Sequence, residues 1–493
     1  MSTSKYLPVI VGVSQIKQQG LLPEQSLDPI ELMCEAVRDA VADSGCADIL
    51  SEVDGVLVTQ GLWGYGNPGG QVADKLGIKN AETVVGVISG SMSQALLADA
   101  ANAIASGEKR AAVIVGGEAG YYCRHAEKSG IKLDWIKPDG EEPNRRKGAN
   151  DILQDDERAI GIGSAVQVFS MFENSRRKYN GLSREENSRQ IAELWAHFAK
   201  VAKGNPHAWI RDGKSAEEIG TVTADNRMIG YPYTKSMIAN MFVDQSAALI
   251  VCSAELAREM GVPADKIVYV HGLVDMEVGV AMRNREFFHN LPSLGVAGQV
   301  LADLTDMKLA DAEHIDLYSC FPSAVQIAAD EFGIDINRQL TVTGGLAYSG
   351  GPMNNYVLQS VAAMVEILRE HPGDRGLISG VGGWMGKHAL GIYGTDIPVN
   401  GYNYKNCQEL VKDQPTREYI DTYQGEATLE TYALDFRRNG QPQSAILACL
   451  LDDGRRTWAR MENLDDLEKM AAQEQCGNRL ILDGNKQARF AEA

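Results

Sequence analysis

Residues 340–352, LTVTGGLAYSGGP, set a β-branched run directly against four glycines and a proline. Glycine serves where a chain needs positive φ, or where a ligand or another backbone must come close. A packing reason and a ligand are both open for this turn, so the neighbouring pattern has to say which fold carries it.

Working outward, Leu294–Asp306 has the three-and-four apolar spacing of a helix, and His314–Cys320 is a short continuous apolar run. Helix Pro322–Phe332, strand Leu340–Gly345, helix Met353–Glu370 and strand Arg375–Gly383 follow. The first half repeats that order. Helix Asp28–Gly45 leads to strand Val53–Gly61, and a strand from Val84 runs into the turn Ile88-Ser89-Gly90-Ser91-Met92-Ser93-Gln94. Helix Ala95–Ser106 and strand Ala111–Gly117 come next. Continuous apolar strands alternating with amphipathic helices predict βαβ units, with sheets covered on both faces. Two such copies packed together predict an α/β fold with two sheets inside three helical layers.

Two segments fall outside the repeat. About residues 121–240 separate Gly117 from the strand Phe242–Ser253; they are rich in charge, glycine and aromatics and contain the helix Ser183–Ala202. Connections that long carry structure of their own, so an inserted lobe is predicted. After Tyr393, the stretch from Pro398 to Asn406 reads as a linker. Beyond Gly425 the alternating runs ATLETYALDF, SAILACLLD and RRTWARM are joined by turns at Asn439-Gly440 and Asp453-Gly454, a hairpin signature, with a helix near Leu464. The predicted units are residues 1–265, including the lobe 121–240, residues 266–397, and a small β-rich domain, 398–493.

A formal charge of −19 over 493 residues argues against nucleic-acid binding, which needs a basic face. The chain has no apolar run long enough to predict a membrane span, and its first residues lack the pattern of a secretory signal, so a cytoplasmic location is expected. Eight scattered cysteines without a CxxC pair predict neither a disulfide framework nor a zinc site. Two basic clusters, Arg145-Arg146-Lys147 and Arg176-Arg177-Lys178, fit either a solvated surface or the phosphate of an anionic cofactor.

The repeat order, the place of the insertion and the spacing of Gly344-Gly345 to Gly350-Gly351-Pro352 together resemble the thiolase superfamily, the acetyl-CoA acetyltransferase-like proteins, over about residues 5–395. The resemblance implies a duplicated thiolase fold in five layers, αβαβα, and acyl transfer on coenzyme A thioesters. No cofactor would then be bound permanently; the thioester is substrate or ligand. With its β-rich appendix the chain is similar to the type-1 thiolase-like proteins, bacterial members with an additional C-terminal domain, and in part to the sterol-carrier-protein thiolases.

The family places a nucleophilic cysteine in the turn that corresponds to Ile88–Gln94. Aligning the helix end Ile104–Gly107 puts that position at Gly90, and aligning Ala95-Leu96 puts it at Ser89; neither holds a cysteine. Ser89 and Ser91 are candidate replacements that would need a partnered base, because a hydroxyl is a far weaker nucleophile than a thiolate. The second family loop, His-Asp-Cys-Phe in the sterol-carrier-protein thiolases, is Tyr318-Ser319-Cys320-Phe321 here. The resemblance implies an acid/base role for Cys320, against the alternative of a buried strand-end cysteine. Tyr318 stands where the family orders an oxyanion-hole water, and its phenol can donate a hydrogen bond. The third loop, Gly-His-Pro, has become Gly350-Gly351-Pro352, and the fourth, Cys-x-Gly, has become Gly380-Val381-Gly382. His388, just beyond, is a candidate replacement base or a hydrogen-bonded strand histidine.

The expected function is acyl transfer on acyl-CoA or a related thioester, with Ser89, Ser91, Tyr318, Cys320 and His388 as the chemical groups. Gly90, Phe321, Gly350, Gly351 and Gly380 would line the path of the substrate. Ordinary Claisen or thiolytic chemistry is not expected, since three of the four reactive family groups are replaced. The alternative is a catalytically degenerate acyl-CoA or lipid-binding protein, or one subunit whose partner supplies the missing groups. Monomer and homodimer are both open.

Overall fold

The computed structural model describes residues 6–136, 144–146, 148 and 153–491. Local signals set the first helix, α1 (Pro29–Ser44): the Asp28 carboxylate accepts from the Glu31 N–H at 2.9 Å, proline opens it, and Gly45 ends it at φ 69°. The first half runs through β1 (Pro8–Lys17), α1, β2 (Val53–Val58), α2 (Pro68–Leu76), β3 (Glu82–Val85), α3 (Met92–Ala105) and β4 (Ala111–Ala119). The inserted segment holds α4 (Gly120–Lys128), α5 (Asp155–Ala159), α6 (Ala165–Tyr179), α7 (Arg184–Gly204), α8 (Ala216–Gly220), β5 (Met228–Tyr231) and β6 (Tyr233–Thr234). β7 (Asp244–Ser253) and α9 (Ala254–Glu259) follow. The second half comprises β8 (Val268–Glu277), α10 (Pro292–Thr305), β9 (His314–Asp316), α11 (Pro322–Glu331), α12 (Gly345–Tyr348), α13 (Tyr356–Glu370), β10 (Arg375–Gly382) and β11 (Lys387–Gly394).

The two halves share one sheet in the order β3-β2-β4-β7-β1-β8-β11-β10-β9. The duplication shows in the pairing. In the first half β2 and β4 are parallel while β4–β7 and β7–β1 are antiparallel; in the second, β9–β10 is parallel while β10–β11 and β11–β8 are antiparallel. The halves meet in a short ladder, Val9↔Tyr269 and Ile10↔Val268. Helices α3 and α13 pack on each other and on strands of both halves, α1 and α2 cover the first half, and α10 covers the second. The layering is the expected αβαβα, but the strands of both halves form one continuous hydrogen-bonded sheet rather than two, because β1 and β8 pair at the junction. In α3 nearly every side chain from Met92 to Ile104 is buried, as suits a helix enclosed between the strands of the two halves.

Two stretches differ from the sequence reading. Leu340–Thr343 forms no ladder and bends at Val342 and Thr343. Its backbone is served by one bond, Leu317 N–H to the Leu340 carbonyl at 2.9 Å, and by the buried carboxylate of Asp316, which accepts from Val342 N–H at 2.9 Å and from the Thr341 hydroxyl at 2.9 Å. A fully buried carboxylate needs such donors, and taking them from this run displaces a strand partner. The stretch expected as a linker carries β12 (Asn403–Asn406), which lies parallel to β8 from Gly272 to Asp275.

After α14 (Gln408–Val411) the chain forms β13 (Gln424–Phe436), β14 (Pro442–Leu450), β15 (Arg456–Met461), α15 (Leu464–Ala472), β16 (Arg479–Asp483) and β17 (Ala488–Phe490). Their order is β15-β14-β13-β16-β17, and a parallel bridge between Arg460 and Gln487 joins the two edges. This order, with a helix between the third and fourth strands, is that of a five-stranded Greek-key barrel of the OB type. Beyond its pairing with β16, β13 also pairs with β5 of the lobe at Leu434 and Asp435. Arg184 of α7 donates to the carbonyls of Met470, Ala471 and Gln473 at 2.9, 2.9 and 2.7 Å, closing the end of α15. The second basic cluster is therefore structural: Arg176 pairs with Asp330, and the buried Arg177 with Glu474. Among the described residues no helix is long and apolar enough to cross a membrane.

Candidate functional site

Ser91 ends the turn before α3, and its hydroxyl lies 2.7 Å from that of Ser89; both are buried. The Ser91 N–H also points at the Ser89 hydroxyl, at 3.3 Å. Between them, Gly90 faces the second half of the chain. A β-carbon built there would fall less than 3.0 Å from both the Val381 carbonyl oxygen and the Tyr318 hydroxyl, and 2.7 Å from Tyr318 Cζ. Tyr318 is fixed by its N–H bond to Ser379 Oγ at 2.9 Å and by edge contact with Tyr356. The phenol thus fills the space into which a side chain at position 90 would project. The Cys-x-Gly counterpart closes the other side: a β-carbon on Gly380 would come 3.0 Å from Ser91 Cα, and Gly382 packs directly on Ser89. Ser89, Gly90, Ser91, Tyr318 and Gly380 therefore form one contact group.

A cleft of about 640 Å³ runs along α3 from Ser91 to Asp99, with β8, His388 and the segment around Arg146 as its other walls. At its mouth Arg146 bridges both sides, from Nε to Asp99 at 2.6 Å and from Nη2 to Asp275 at 3.0 Å. Tyr404 and Asn406, from β12, also donate to Asp275, at 2.9 and 2.8 Å. Burial pushes the Asp99 carboxyl up, and the guanidinium opposes it. Lys387 and Glu277 form a second pair at 3.2 Å. Arg146 is thus a clamp rather than a spare phosphate ligand; Lys147 lies outside the described residues.

His388 is buried on β11, with Nε2 3.1 Å from the Met385 carbonyl and Nδ1 without a partner. Burial lowers its pKa to about 4, the Met385 bond opposes that, and the nearby Arg285 charge adds to it. The ring is neutral at pH 7, with Nε2 donating to Met385 and Nδ1 offering a weakly basic lone pair. Desolvation drives the Cys320 thiol far above the usual range, against backbone N–H groups that favour its thiolate. It is a protonated thiol rather than a ready nucleophile.

The remaining expected site residues do not line the cleft. Phe321 stacks on Phe169 with ring centres 4.7 Å apart. Around the opening glycine turn, packing supplies the close neighbours. A β-carbon on Gly344, at φ 104°, would meet the Ala202 backbone of α7 at 2.6 Å, and one on Gly345 would meet Phe198 at 2.6 Å. Gly350, at φ 114°, lies against the Gln245 amide, whereas Gly351 has ordinary room, 3.4 Å from the Asn240 carbonyl.

Sequence reasoning missed Asp99 and Asp275. Asp99 had a signal, as the lone acid within an otherwise apolar helix; Asp275, inside a strand, had none. All eight cysteines are free, six of them buried. Among the described residues no group of three His, Cys, Asp or Glu side chains is placed to hold a metal.

Residues 406–485 match the family model of the thiolase-like protein type 1 additional C-terminal domain. A monomeric SCP2-thiolase-like protein type 1 from Mycobacterium smegmatis is 30% identical, with a TM-score of 0.85, and the match covers 99% of each chain. The acetyl-CoA acetyltransferase of Syntrophomonas wolfei is 16% identical at TM-score 0.56, over 80% of this chain and all of its own. The dimeric peroxisomal thiolase of Saccharomyces cerevisiae is 13% identical at TM-score 0.58, over 80% of this chain and 98% of its own. These last two share the fold. No curated protein matches the sequence.

Proposed function

The chain belongs to the SCP2-thiolase-like type 1 proteins, and on that premise we propose that it binds acyl-CoA or a related thioester without Claisen condensation or thiolysis. The observation that carries this is the closure over Gly90, where Tyr318 and the Val381 carbonyl leave no room for a nucleophilic side chain. The other groups agree: a protonated Cys320, a weakly basic His388 and glycine at position 351 supply no activated base or thiolate. What persists is a cleft ending at the N-terminal turn of α3, whose dipole favours a carbonyl oxygen or an anionic head group.

A second reading, acyl transfer through Ser91, draws on its sharing the cleft with His388 and on its bond to Ser89. We also propose that the chain acts as a monomer, as its Mycobacterium relative is described. The outer edge of β3 is already taken: Val85 N–H bonds the Asn144 carbonyl at 2.8 Å, and Arg146 N–H bonds Val85 at 2.9 Å.

Calorimetry with CoA, acetyl-CoA and acetoacetyl-CoA, followed by mass spectrometry of protein and ligand, tests the proposal. Saturable binding with intact ligand supports it. Catalytic thiolysis of acetoacetyl-CoA, or no binding of any of the three, overturns it, and an acyl mass on Ser91 moves the assignment to the second reading.

A further inference from the structure

A second cavity, about 60 Å³, lies between the end of β8 and the start of α10 and shares no lining residue with the cleft. Val278, Val280, Leu291 and Pro415 give it mostly apolar walls, and its polar lining includes Arg285, Asn290 and Ser293. These three carry polar atoms without partners. Arg285 is only 5% exposed; its Nη2 donates to the Trp384 carbonyl at 2.8 Å, while Nε and Nη1 have no partner. Ser293 is 2% exposed and its hydroxyl is unpartnered, as is Asn290 Oδ1.

The Arg285 charge is offset only in part, by the Glu157 carboxylate and by the Phe172 ring 5.4 Å from its Cζ. The acid nearest in effect is Glu157, whose carboxylate is engaged by the Arg283 N–H at 2.7 Å and the Gln154 N–H at 2.9 Å. The other neighbouring charge, Arg456, is cationic and is matched by Glu430 at 2.7 Å. Glu286 borders the cavity but is held by Arg417 at 3.0 Å. A buried guanidinium with two idle donors and no direct ion pair among the described residues is costly, and an anion in contact with it supplies both an acceptor and a counter-charge. The first turn of α10, a helix of 14 residues, opens at Pro292 beside it, but its Leu291 N–H is already taken by the Glu331 carboxylate at 2.9 Å, so Arg285 and Ser293 carry the recognition. The volume is several times the roughly 10–15 Å³ that one water needs and suits an ion with a few carbon atoms.

We propose that this cavity binds the carboxylate of a short aliphatic acid, with Arg285 and Ser293 on the head group and the Val278, Val280 and Pro415 side on the alkyl tail. The proposal is independent of the thioester reading.

Calorimetry of the full chain with butyrate tests it, with butyramide as the uncharged isostere and inorganic phosphate as an anion without a tail. Butyrate is expected to saturate one site, and butyramide to bind at least about tenfold more weakly. Arg285→Met should lose butyrate binding yet melt no lower than wild type without ligand, because a lone buried charge has been replaced by an apolar chain. Should that variant fail to fold, Ser293→Val carries the same test and is expected to weaken butyrate. No saturable butyrate binding, equal binding of butyramide, preference for phosphate over butyrate, or undiminished binding in a folded variant overturns the proposal.

Discussion

Substituting Gly90 by alanine tests the closed nucleophile position most directly. The added methyl meets two surfaces at less than 3.0 Å, the Val381 carbonyl and the Tyr318 hydroxyl. The carbonyl belongs to β10, where Val381 is paired with His388 of β11, so its freedom to retreat is limited. Overpacking a rigid site costs about 1–3 kcal/mol, and two immovable neighbours place Gly90→Ala near the upper end. At about 2.1 cal/mol/K of unfolding entropy per residue, a chain of 493 residues has roughly 1 kcal/mol/K in total, so about 3 kcal/mol lowers Tm by about 3 °C. Gly351→Ala is the control: its methyl would sit at 3.4–3.6 Å from its neighbours, and a change within about 0.5 kcal/mol is expected. Adding Tyr318→Phe to Gly90→Ala should return only a small part of the loss, under about 1 kcal/mol, because the hydroxyl contact goes while the ring Cζ stays 2.7 Å away. Differential scanning calorimetry of the four proteins reads the series. If Gly90→Ala melts with wild type, or if Gly351→Ala falls as far, the closure argument is wrong.

Glu118 is buried beside Asp244; desolvation chiefly, with the Asp244 charge adding to it, raises its pKa to about 7, and Asp244 itself is raised to about 6. The native state therefore holds protons that the unfolded chain has released, and stability should fall as pH rises from about 4.5 to about 7. Glu118→Gln should match wild type at pH 4 and exceed it at pH 8 by up to about 3 kcal/mol, with parallel melting curves over that range counting against the argument. The raised Cys320 thiol should react with iodoacetamide at pH 7.5 far more slowly than glutathione does; equal rates, followed by peptide mass mapping, would contradict its protonated state. Arg184→Ala removes three carbonyl bonds and the stacking of its guanidinium 4.0 Å over Tyr231, for a loss of about 2–4 kcal/mol by urea titration and faster proteolysis of the barrel. An unchanged midpoint would show that the lobe and the barrel hold together without it.

Much of the layered body was legible because its signals are local. Asp28, Pro29 and Gly45 mark both ends of α1, and Asn439-Gly440 and Asp453-Gly454 mark the two hairpins. The Leu340–Thr343 run misled because β-branched composition reports an extended chain, not who supplies its hydrogen bonds; Asp316, more than twenty residues earlier, supplies them. The site was half legible. Family motifs pointed to Gly90 and Tyr318 separately, but only coordinates reveal that one occupies the other's space. For the glycine turn the close neighbours proved to be Ala202 and Phe198 of α7, a helix from a distant insertion that nothing near residue 344 announces. Asp275 and the unpaired Arg285 were invisible for a similar reason: pairing, or its lack, is a property of contacts between segments far apart in sequence.

The sharing of β13 between the barrel and β5 has a consequence for how the chain is made. Met228–Tyr231 leaves the ribosome just over two hundred residues before Leu434 and Asp435, the positions to which it pairs. Until then the lobe exposes an unsatisfied strand edge, and its native pairing must wait for the end of translation. Ribosome-bound chains cut short before residue 424 should thus be clients for chaperones, and the C-terminal barrel acts as the last piece that locks the inserted lobe in place.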